Sequence, residues 1–367
     1  MSRFLDPRFA GLEAYTPGEQ PRDRRYIKLN TNESPYPPGP AVLAAVDASA
    51  LADLRLYSDP TQTALREALA GFLNGEFAGL ALEKENIFVS NGSDDILNFA
   101  FLAFSGEGTT VLFPDISYGF YEVFAEFHGC SYRRIPLRED YTIDLADYRA
   151  VPGKKLIVFA NPNAPTGIAL SAGEIEALLQ AEPDSLVLVD EAYVDFGAES
   201  AMGLLAKYDN LLVARTYSKS ASLAGARLGY AAGSRAVIED LEKIKYSTNP
   251  YNVNRMTQAA GLAVLREWGY YRENCVKIAE TREKTAEALR EMGCEVLPSK
   301  SNFLFVSCLP ALGGEEAYLG LREKGILVRW WSRPEIRDRF RVTIGTPEEM
   351  ESFLAALKAL MGGKSDE

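Results

Sequence analysis

The sequence predicts an α/β protein whose larger part is a mostly parallel β-sheet, followed by a smaller α+β domain. Short apolar runs alternate with helical segments between residues 60 and 255, as in sheets that are covered by helices on both faces. The chain has 367 residues, a length that favours roughly two domains.

Six short apolar runs are predicted to form the strands of this sheet. They cover residues 87–89, 110–113, 156–159, 186–189, 211–214 and 228–231. Helices are predicted between them at 96–104, 118–128 and 174–180. Ligands of parallel sheets bind beyond the carboxyl ends of the strands. The polar residues that follow each run are therefore the candidates for chemistry.

The predicted domain organisation has three parts. Residues 1–40, rich in proline, glycine and charge, are expected to form an N-terminal arm, and residues 41–255 the large domain. Residues 256–367 are expected to form a small domain, with a long charged helical segment over 256–292 and strands at 295–297, 302–306 and 340–344. Part of the arm is expected to complete this domain.

Charge and hydropathy exclude several classes of protein. The formal net charge of −12 argues against a nucleic acid or an anionic membrane as partner. No run approaches the roughly 20 apolar residues of a membrane span, and the N-terminus has no continuous apolar segment typical of a signal peptide. We therefore expect a cytoplasmic protein.

The cysteine and histidine content points away from metal sites. The four cysteines form no CxxC pair, so neither a zinc site nor a disulfide framework is predicted. The only histidine, His128, is expected at the end of a helix capped by Gly129. A Ser-His-Asp mechanism and a histidine-rich metal site are therefore excluded.

The segment 216–229 (TYSKSASLAGARLG) is the most direct pointer to chemistry. Lys219 follows a predicted strand, where desolvation would lower the pKa of its amine and make it available for Schiff-base formation. Ser218 and Arg227 offer a phosphate a hydroxyl group and a guanidinium. A lysine Schiff base beside a phosphate site predicts pyridoxal phosphate. The alternative is a surface lysine in a serine-rich loop.

The ends of three other strands carry complementary residues. Asp190 would keep a pyridinium nitrogen protonated, or simply cap the next helix. Gly92 opens a helix whose free N–H groups bind anions, although Asp94 and Asp95 would repel a phosphate unless they point away. Tyr118 would stack on a pyridine ring or merely start a helix.

On these motifs the chain resembles, over nearly its whole length, the fold-type I aminotransferases, and within them most closely the histidinol-phosphate aminotransferase group. The motifs are 29–35 (LNTNESP), 57–60 (YSDP), 91–94 (NGSD), 162–167 (PNAPTG), 190–193 (DEAY), 218–219 (SK) with Arg227, 325–329 (GILVR) and 340–346 (FRVTIGT). The resemblance implies a large domain with a seven-stranded, mostly parallel sheet, and pyridoxal phosphate as cofactor.

The resemblance also implies roles for individual residues. Lys219 would carry the cofactor as a Schiff base and move a proton during catalysis. The implied cofactor-binding residues are Gly92, Ser93, Asp94, Tyr118, Asn163, Asp190, Tyr193, Ser218 and Arg227, with Tyr57 reaching the cofactor phosphate of a neighbouring subunit in a homodimer. The implied substrate-binding residues are Tyr15, Asn32, Arg329 and Arg341.

Two features depart from the family pattern or are unexpected. Ala164 stands where an asparagine commonly bonds the ring oxygen of the cofactor, and Asn163 or Asn161 is expected to replace it. Trp330 and Trp331 follow Arg329 directly. They would line the pocket for the substrate tail, or belong to the core or an interface.

The implied function is the transfer of an amino group from L-histidinol phosphate to 2-oxoglutarate, giving imidazole acetol phosphate and glutamate in histidine biosynthesis. An aromatic amino acid aminotransferase would share the fold and motifs but would need no phosphate site. A lyase of the threonine-phosphate decarboxylase type also resembles this group. A non-catalytic protein on the same scaffold would lack Lys219 or Asp190, and both are present.

Overall fold

The structure, a computed structural model, describes residues 2–47 and 51–362. Its main sheet has seven strands in the order β2-β8-β7-β6-β5-β3-β4. The strands are β2 (Ile87–Ser90), β3 (Thr109–Pro114), β4 (Ser131–Ile135), β5 (Lys154–Ala160), β6 (Leu186–Asp190), β7 (Leu211–Thr216) and β8 (Gly229–Gly233). Only β8 runs against its neighbours within this sheet. The predicted mostly parallel sheet is confirmed.

Strand β4 was not among the six apolar runs, although the family resemblance implied a seventh strand. It lies at the edge of the sheet and pairs only with β3 in the described chain. Most of its residues are exposed or half-buried, including Arg133 and Arg134. An edge strand with few buried positions has no continuous apolar run, so its sequence gives a weak signal.

Helices cover both faces of the sheet and continue into the C-terminal part. The described α-helices are Pro40–Ala45, Thr63–Glu76, Ser93–Phe104, Phe120–His128, Leu145–Arg149, Ala172–Ala181, Arg235–Thr248, Arg255–Arg266, Trp268–Glu291, Gly314–Glu323 and Pro347–Gly362. The predicted helical segment over 256–292 is helical apart from one break at Glu267, which divides it into two helices. Gly129 ends the helix before it at φ +68°, which confirms the predicted cap after His128.

A second, antiparallel sheet has four strands in the order β12-β13-β10-β9. They are β9 (Glu295–Val296), β10 (Phe303–Ser307), β12 (Arg329–Trp330) and β13 (Arg339–Thr343). The arm contributes β1 (Ile27–Lys28), which pairs in parallel with β11 (Ile326–Leu327). The arm therefore pairs with a segment of the C-terminal part.

Separate hydrophobic clusters lie on the two faces of the main sheet and around the second sheet. Ala260, Val264 and Tyr271 belong to the cluster on one face of the main sheet, whereas Leu29 of the arm packs in the cluster of the second sheet. The division at residues 40 and 255 stays a prediction. Within the described residues, no helix combines the length and apolarity needed to cross a membrane.

Candidate active site

A cavity of about 440 Å³ lies at the carboxyl ends of β5, β6 and β7. The start of helix Ser93–Phe104 and part of the N-terminal arm close its sides. The sequence-predicted residues that line it are Ser93, Asp94, Tyr118, Asp190, Tyr193, Ser218, Lys219 and Arg227. The structure thus brings together side chains from five separate segments of the chain.

Lys219 is half-buried three residues after the end of β7. Its Nζ donates a hydrogen bond to the carbonyl oxygen of Thr31, 3.2 Å away, and lies 5.7 Å from the centre of the Tyr193 ring. The arm therefore contacts the amine directly. This is a position from which a lysine can react with a ligand in the cavity.

Asp190 is the last residue of β6 and is 4% exposed. Its carboxylate accepts hydrogen bonds from the Tyr121 hydroxyl (3.1 Å) and the Ala192 N–H (3.2 Å). Burial raises the pKa of this carboxyl group to about 6. In the described chain no arginine or lysine forms an ion pair with it. A protonated ring nitrogen in the cavity would supply the missing cationic partner, so the residue fits the predicted cofactor.

The opposite end of the cavity is built to hold an anion. The first N–H groups of helix Ser93–Phe104 are free for a ligand. Gly92 has φ +82°, and a Cβ there would lie 2.8 Å from Nη2 of Arg227. Arg227 itself adopts φ +54°, and its Nη1 lies 3.4 Å from the hydroxyl oxygen of Ser218. Glycine therefore lets the guanidinium approach the helix start closely.

Two acidic residues at this helix start behave differently. Asp95 points away from the cavity and accepts hydrogen bonds from Ser90 and from the Asn91 N–H. Asp94 remains in the cavity wall, where it pairs with Arg227 (3.1 Å) and accepts a hydrogen bond from Tyr118 (2.7 Å). Only Asp95 meets the expectation of pointing away; the negative charge of Asp94 is offset by the arginine instead.

Tyr193 and Asn32 form a buried hydrogen-bond network. The Asn32 Nδ2 donates to the Tyr193 hydroxyl oxygen at 2.9 Å. Its Oδ1 accepts from the hydroxyl of Thr343 at 3.0 Å, and its backbone has φ +56°. The structure therefore places Asn32, predicted to bind substrate, on the tyrosine that was predicted to bind the cofactor.

Asn163 does not enter the cavity, contrary to the sequence-based expectation. Its Oδ1 accepts from the Ser117 hydroxyl (2.7 Å) and its Nδ2 donates to the Ile116 carbonyl oxygen (2.9 Å). Asn161 is likewise engaged, since its side chain pairs with both backbone groups of Leu170. Ala164 forms the cavity wall. The Asn161 amide thus holds the end of this loop, and the Asn163 amide ties the loop to the segment after β3.

Arg329 and Arg341 lie side by side on paired strands, as Cα partners across β12 and β13. Arg329 donates to the carbonyl oxygens of Thr16 (2.7 Å) and Pro17 (3.1 Å), and Arg341 to that of Asn30 (3.1 Å). Neither pairs with a carboxylate among the described residues. The Nε of Arg341 is buried without a partner, and burial lowers the pKa of this guanidinium. Both arginines are available to an anion.

Tyr15 and the two arginines do not line the cavity, but Tyr15 contacts the cavity residue Tyr118 and lies near enough to both arginines for their charges to act on it. Its ring stacks on Phe120 at 4.2 Å between centroids and meets the edge of Tyr118 at 6.0 Å. Burial raises the pKa of its hydroxyl, against the smaller opposing effect of both arginines. Tyr57 lies elsewhere: it is 78% exposed and stacks on Tyr251 at 4.5 Å.

Sequence reasoning named Tyr15 and Asn32 of the arm but missed three other arm residues, which lie in the cavity wall. Gln20, Thr31 and Glu33 line the cavity, and Glu33 forms an ion pair with Lys28 at 2.7 Å. Thr31 and Glu33 belong to the motif 29–35, so a signal was present. The role of this motif depends on where the arm lies relative to the main sheet, which the motif alone does not reveal.

Comparisons with known proteins agree in both sequence and structure. The family model for aminotransferase class I and II matches residues 24–357. A histidinol-phosphate aminotransferase from Brachyspira hyodysenteriae is 46% identical over 362 residues, covering 98% of this chain and 99% of the relative. One from Syntrophus aciditrophicus is 47% identical over 361 residues, covering 97% and 98%. The crystal structure of histidinol-phosphate aminotransferase from Sinorhizobium meliloti, in complex with pyridoxal-5'-phosphate, is 26% identical with a TM-score of 0.86, covering 99% of both chains.

Proposed function

Because the chain belongs to the class I and II aminotransferase family, we propose that it transfers the amino group of L-histidinol phosphate to 2-oxoglutarate, with pyridoxal phosphate as cofactor. The chain is an enzyme of the fold-type I architecture. The observation that carries the proposal is one cavity that holds a lysine amine, a buried carboxylate and an anion-binding helix start. The products are imidazole acetol phosphate and glutamate.

The cavity residues fit the cofactor at both of its ends. Asp190 would accept a hydrogen bond from the ring N–H, while Ser93, Ser218 and Arg227 would hold the phosphate together with the free N–H groups near Gly92. When bound, pyridoxal phosphate supplies an electron sink for the carbanion formed at the substrate carbon. Tyr118 offers its ring for stacking.

Lys219 and Tyr193 would act on the reacting end. Lys219 would bind the cofactor covalently, and its Nζ would carry a proton during the amino-group transfer. The Tyr193 hydroxyl, held by Asn32 at 2.9 Å, would donate a hydrogen bond to the phenolate oxygen of the cofactor. The Tyr193 hydroxyl, positioned by Asn32 of the arm, would thus compensate for the amide donor that is absent at Ala164.

Arg329 and Arg341 support the choice of substrates. The amino donor carries a phosphate and no carboxylate, whereas the acceptor is a dicarboxylate, so one site must bind both anions in turn. Two adjacent guanidiniums without a carboxylate partner in the described chain satisfy that requirement. Tyr15, whose ring stacks on Phe120, would border the tail of the substrate.

We propose further that the enzyme is a cytoplasmic homodimer with shared active sites. Tyr57 is an exposed aromatic residue in the isolated chain and does not line the cavity of its own subunit. A tyrosine that reaches the cofactor phosphate of a second subunit would have both properties. The cytoplasmic location rests on the biosynthetic reaction proposed.

The test is a titration of the purified, cofactor-loaded enzyme with L-histidinol phosphate in the absence of any keto acid. We expect the visible absorbance of the bound cofactor to change to that of its amino form, and 2-oxoglutarate to reverse the change. Phenylalanine and threonine phosphate are the comparison ligands. A response to phenylalanine alone would replace the proposal with an aromatic aminotransferase, and release of carbon dioxide from threonine phosphate with a lyase.

A further inference from the structure

The ring of Trp331 is shared by two arginines. The Cζ atom of Arg329 lies 5.4 Å from its centroid and that of Arg341 lies 5.3 Å from it. Both distances are within the roughly 6 Å over which an aromatic face attracts a cation. Arg341 also lies 5.1 Å from the centre of the Phe303 ring. It is therefore held between two aromatic side chains.

The two arginines need such support because they repel each other. They are Cα partners on neighbouring antiparallel strands, and like charges directly opposite one another are destabilising. In the described chain their hydrogen bonds go to backbone carbonyl oxygens of the arm and to no carboxylate. An acidic partner would hold them more tightly but would compete with an incoming anion. An aromatic face orients a guanidinium without competing for it.

Trp331 itself is held in place by apolar and aromatic packing. It packs in a small apolar cluster with Ile116, Leu297, Phe305 and Ile336, and its ring meets Phe305 at 76° and 6.4 Å.

Its neighbour Trp330 has a different environment. The Trp330 ring stacks on Tyr318 at 6.1 Å, and its Nε1 donates to the Arg337 carbonyl oxygen at 2.7 Å. The two tryptophans are therefore a natural pair of test and control.

We infer that Trp331 is a positioning residue that determines the specificity for dianionic substrates, by holding Arg329 and Arg341 in a geometry that binds either a phosphate or a dicarboxylate. The inference rests on the proposed function for the identity of the substrates. The dianion site itself rests on the arginine geometry, so it can be tested without the amino donor.

The test uses the cofactor-loaded enzyme with maleate and inorganic phosphate as probes and isothermal calorimetry as the readout. We expect Trp331→Leu to raise the Kd of maleate about tenfold, equivalent to ~1.4 kcal/mol. Trp331→Phe keeps an aromatic face, so its Kd should rise less than threefold. In turnover, Trp331→Leu should raise KM for 2-oxoglutarate more than it lowers kcat, because the reacting atoms are untouched.

Trp330→Phe is the matched control, with a Kd for maleate within threefold of the unsubstituted enzyme. A Kd for Trp331→Leu within threefold of that enzyme overturns the inference. Equal losses in Trp331→Leu and Trp331→Phe, or in Trp331→Leu and Trp330→Phe, also overturn it, since the aromatic face would then not be the cause. If Trp331→Leu does not fold, Trp331→Met replaces it under the same criteria. Should L-histidinol phosphate fail as a substrate while maleate binding follows the expected order, the proposed function fails and the inference stands.

Discussion

Burial sets the chemistry of Asp190. A carboxylate at the end of an apolar strand pays a desolvation penalty, which raises its pKa to about 6 even though it accepts two hydrogen bonds. Lys219 lies across the same cavity with its amine bonded to an arm carbonyl. Aspartate and lysine are common residues, and the chemistry of these two follows from the groups that surround them.

Replacement of Lys219 by alanine should abolish transamination, because no other amine among the predicted site residues can take its place. The measurement is the mass of the protein after incubation with pyridoxal phosphate and borohydride. We expect no covalent adduct at this site and no turnover. Lys207→Ala, which removes an exposed lysine paired with Glu176, is the control and should retain both. A reduced adduct on the cavity peptide of the Lys219→Ala enzyme would contradict the assignment.

The raised pKa of Asp190 predicts a pH-dependent stability of the cofactor-free protein. An unfolded aspartate titrates near 3.9, and the folded one at about 6. The stabilisation is therefore fully present below about pH 4 and is lost as the pH rises through about 6. Asp190→Asn has no carboxyl group to titrate, so it should not show this fall in the free energy of unfolding. Relative to the unsubstituted protein, the variant should gain ~3 kcal/mol in free energy of unfolding between pH 4 and pH 7.

Urea unfolding at several pH values measures that difference, and pyridoxal phosphate provides the second arm of the experiment. The loaded variant should turn over several powers of ten more slowly, because a neutral amide does not keep the ring nitrogen protonated. A free-energy difference that is independent of pH would show that the pKa of the folded carboxyl group equals that of the unfolded chain, so that burial does not raise it.

At the scale of elements, the anion site depends on how closely β8 approaches the start of helix Ser93–Phe104. A Cβ on Gly229 would lie 2.5 Å from the carbonyl carbon of Gly92 and 2.7 Å from the Ser93 nitrogen. Strand and helix start are therefore in backbone contact. Arg227, two residues before Gly229, reaches the same helix start from the other side.

Gly229→Ala should push β8 away from the helix start and weaken the phosphate site. We expect the Kd of pyridoxal phosphate to rise at least tenfold and the free energy of unfolding to fall by ~2 kcal/mol. Fluorescence titration and urea unfolding provide the two measurements. Gly71→Ala is the control: no heavy atom lies within 4 Å of its added Cβ, and alanine in this helix should stabilise by ~0.5–1 kcal/mol. If the Kd of pyridoxal phosphate is unchanged in Gly229→Ala, phosphate binding does not depend on the close contact between β8 and the helix start.

At the scale of the whole molecule, Tyr57 tests whether two subunits share their sites. Its ring is exposed together with that of Tyr251, on which it stacks. An exposed aromatic pair is typical of a surface that another protein covers. In the proposed homodimer, Tyr57 of one subunit would complete the phosphate site of the other.

Mixing two inactive variants distinguishes shared from separate sites. Lys219→Ala and Tyr57→Ala should each have little activity as pure homodimers. After unfolding and refolding as an equal mixture, hybrid dimers would contain one intact site, and about a quarter of the unsubstituted activity should return. Refolding each variant alone provides the control. No recovery, with dimers verified by light scattering, would place Tyr57 outside the neighbouring site.

The sequence by itself determined the fold class and the main strands, and it named the candidate residues for the chemistry. Apolar runs of strand length reveal a buried sheet because every residue in them must avoid water. The order of short motifs made Lys219, Asp190 and Arg227 candidates: Asp190 and Lys219 follow predicted strands, and Arg227 directly precedes the next one. Local pattern was insufficient where an edge strand is half exposed, as in β4, or where a helix breaks without glycine or proline, as at Glu267.

Only the tertiary structure decided which side chains meet across the layers. Asn32 bonds Tyr193, 161 positions away in the chain, while Asn163, next to Ala164 in sequence, bonds Ile116 and Ser117 in the segment that follows β3. Trp331 joins two arginines because β12 and β13 pair in one particular register. Such contacts depend on how the arm and the second sheet pack over the first. Packing of this kind is the sum of many weak, non-local interactions, which no short segment of sequence encodes.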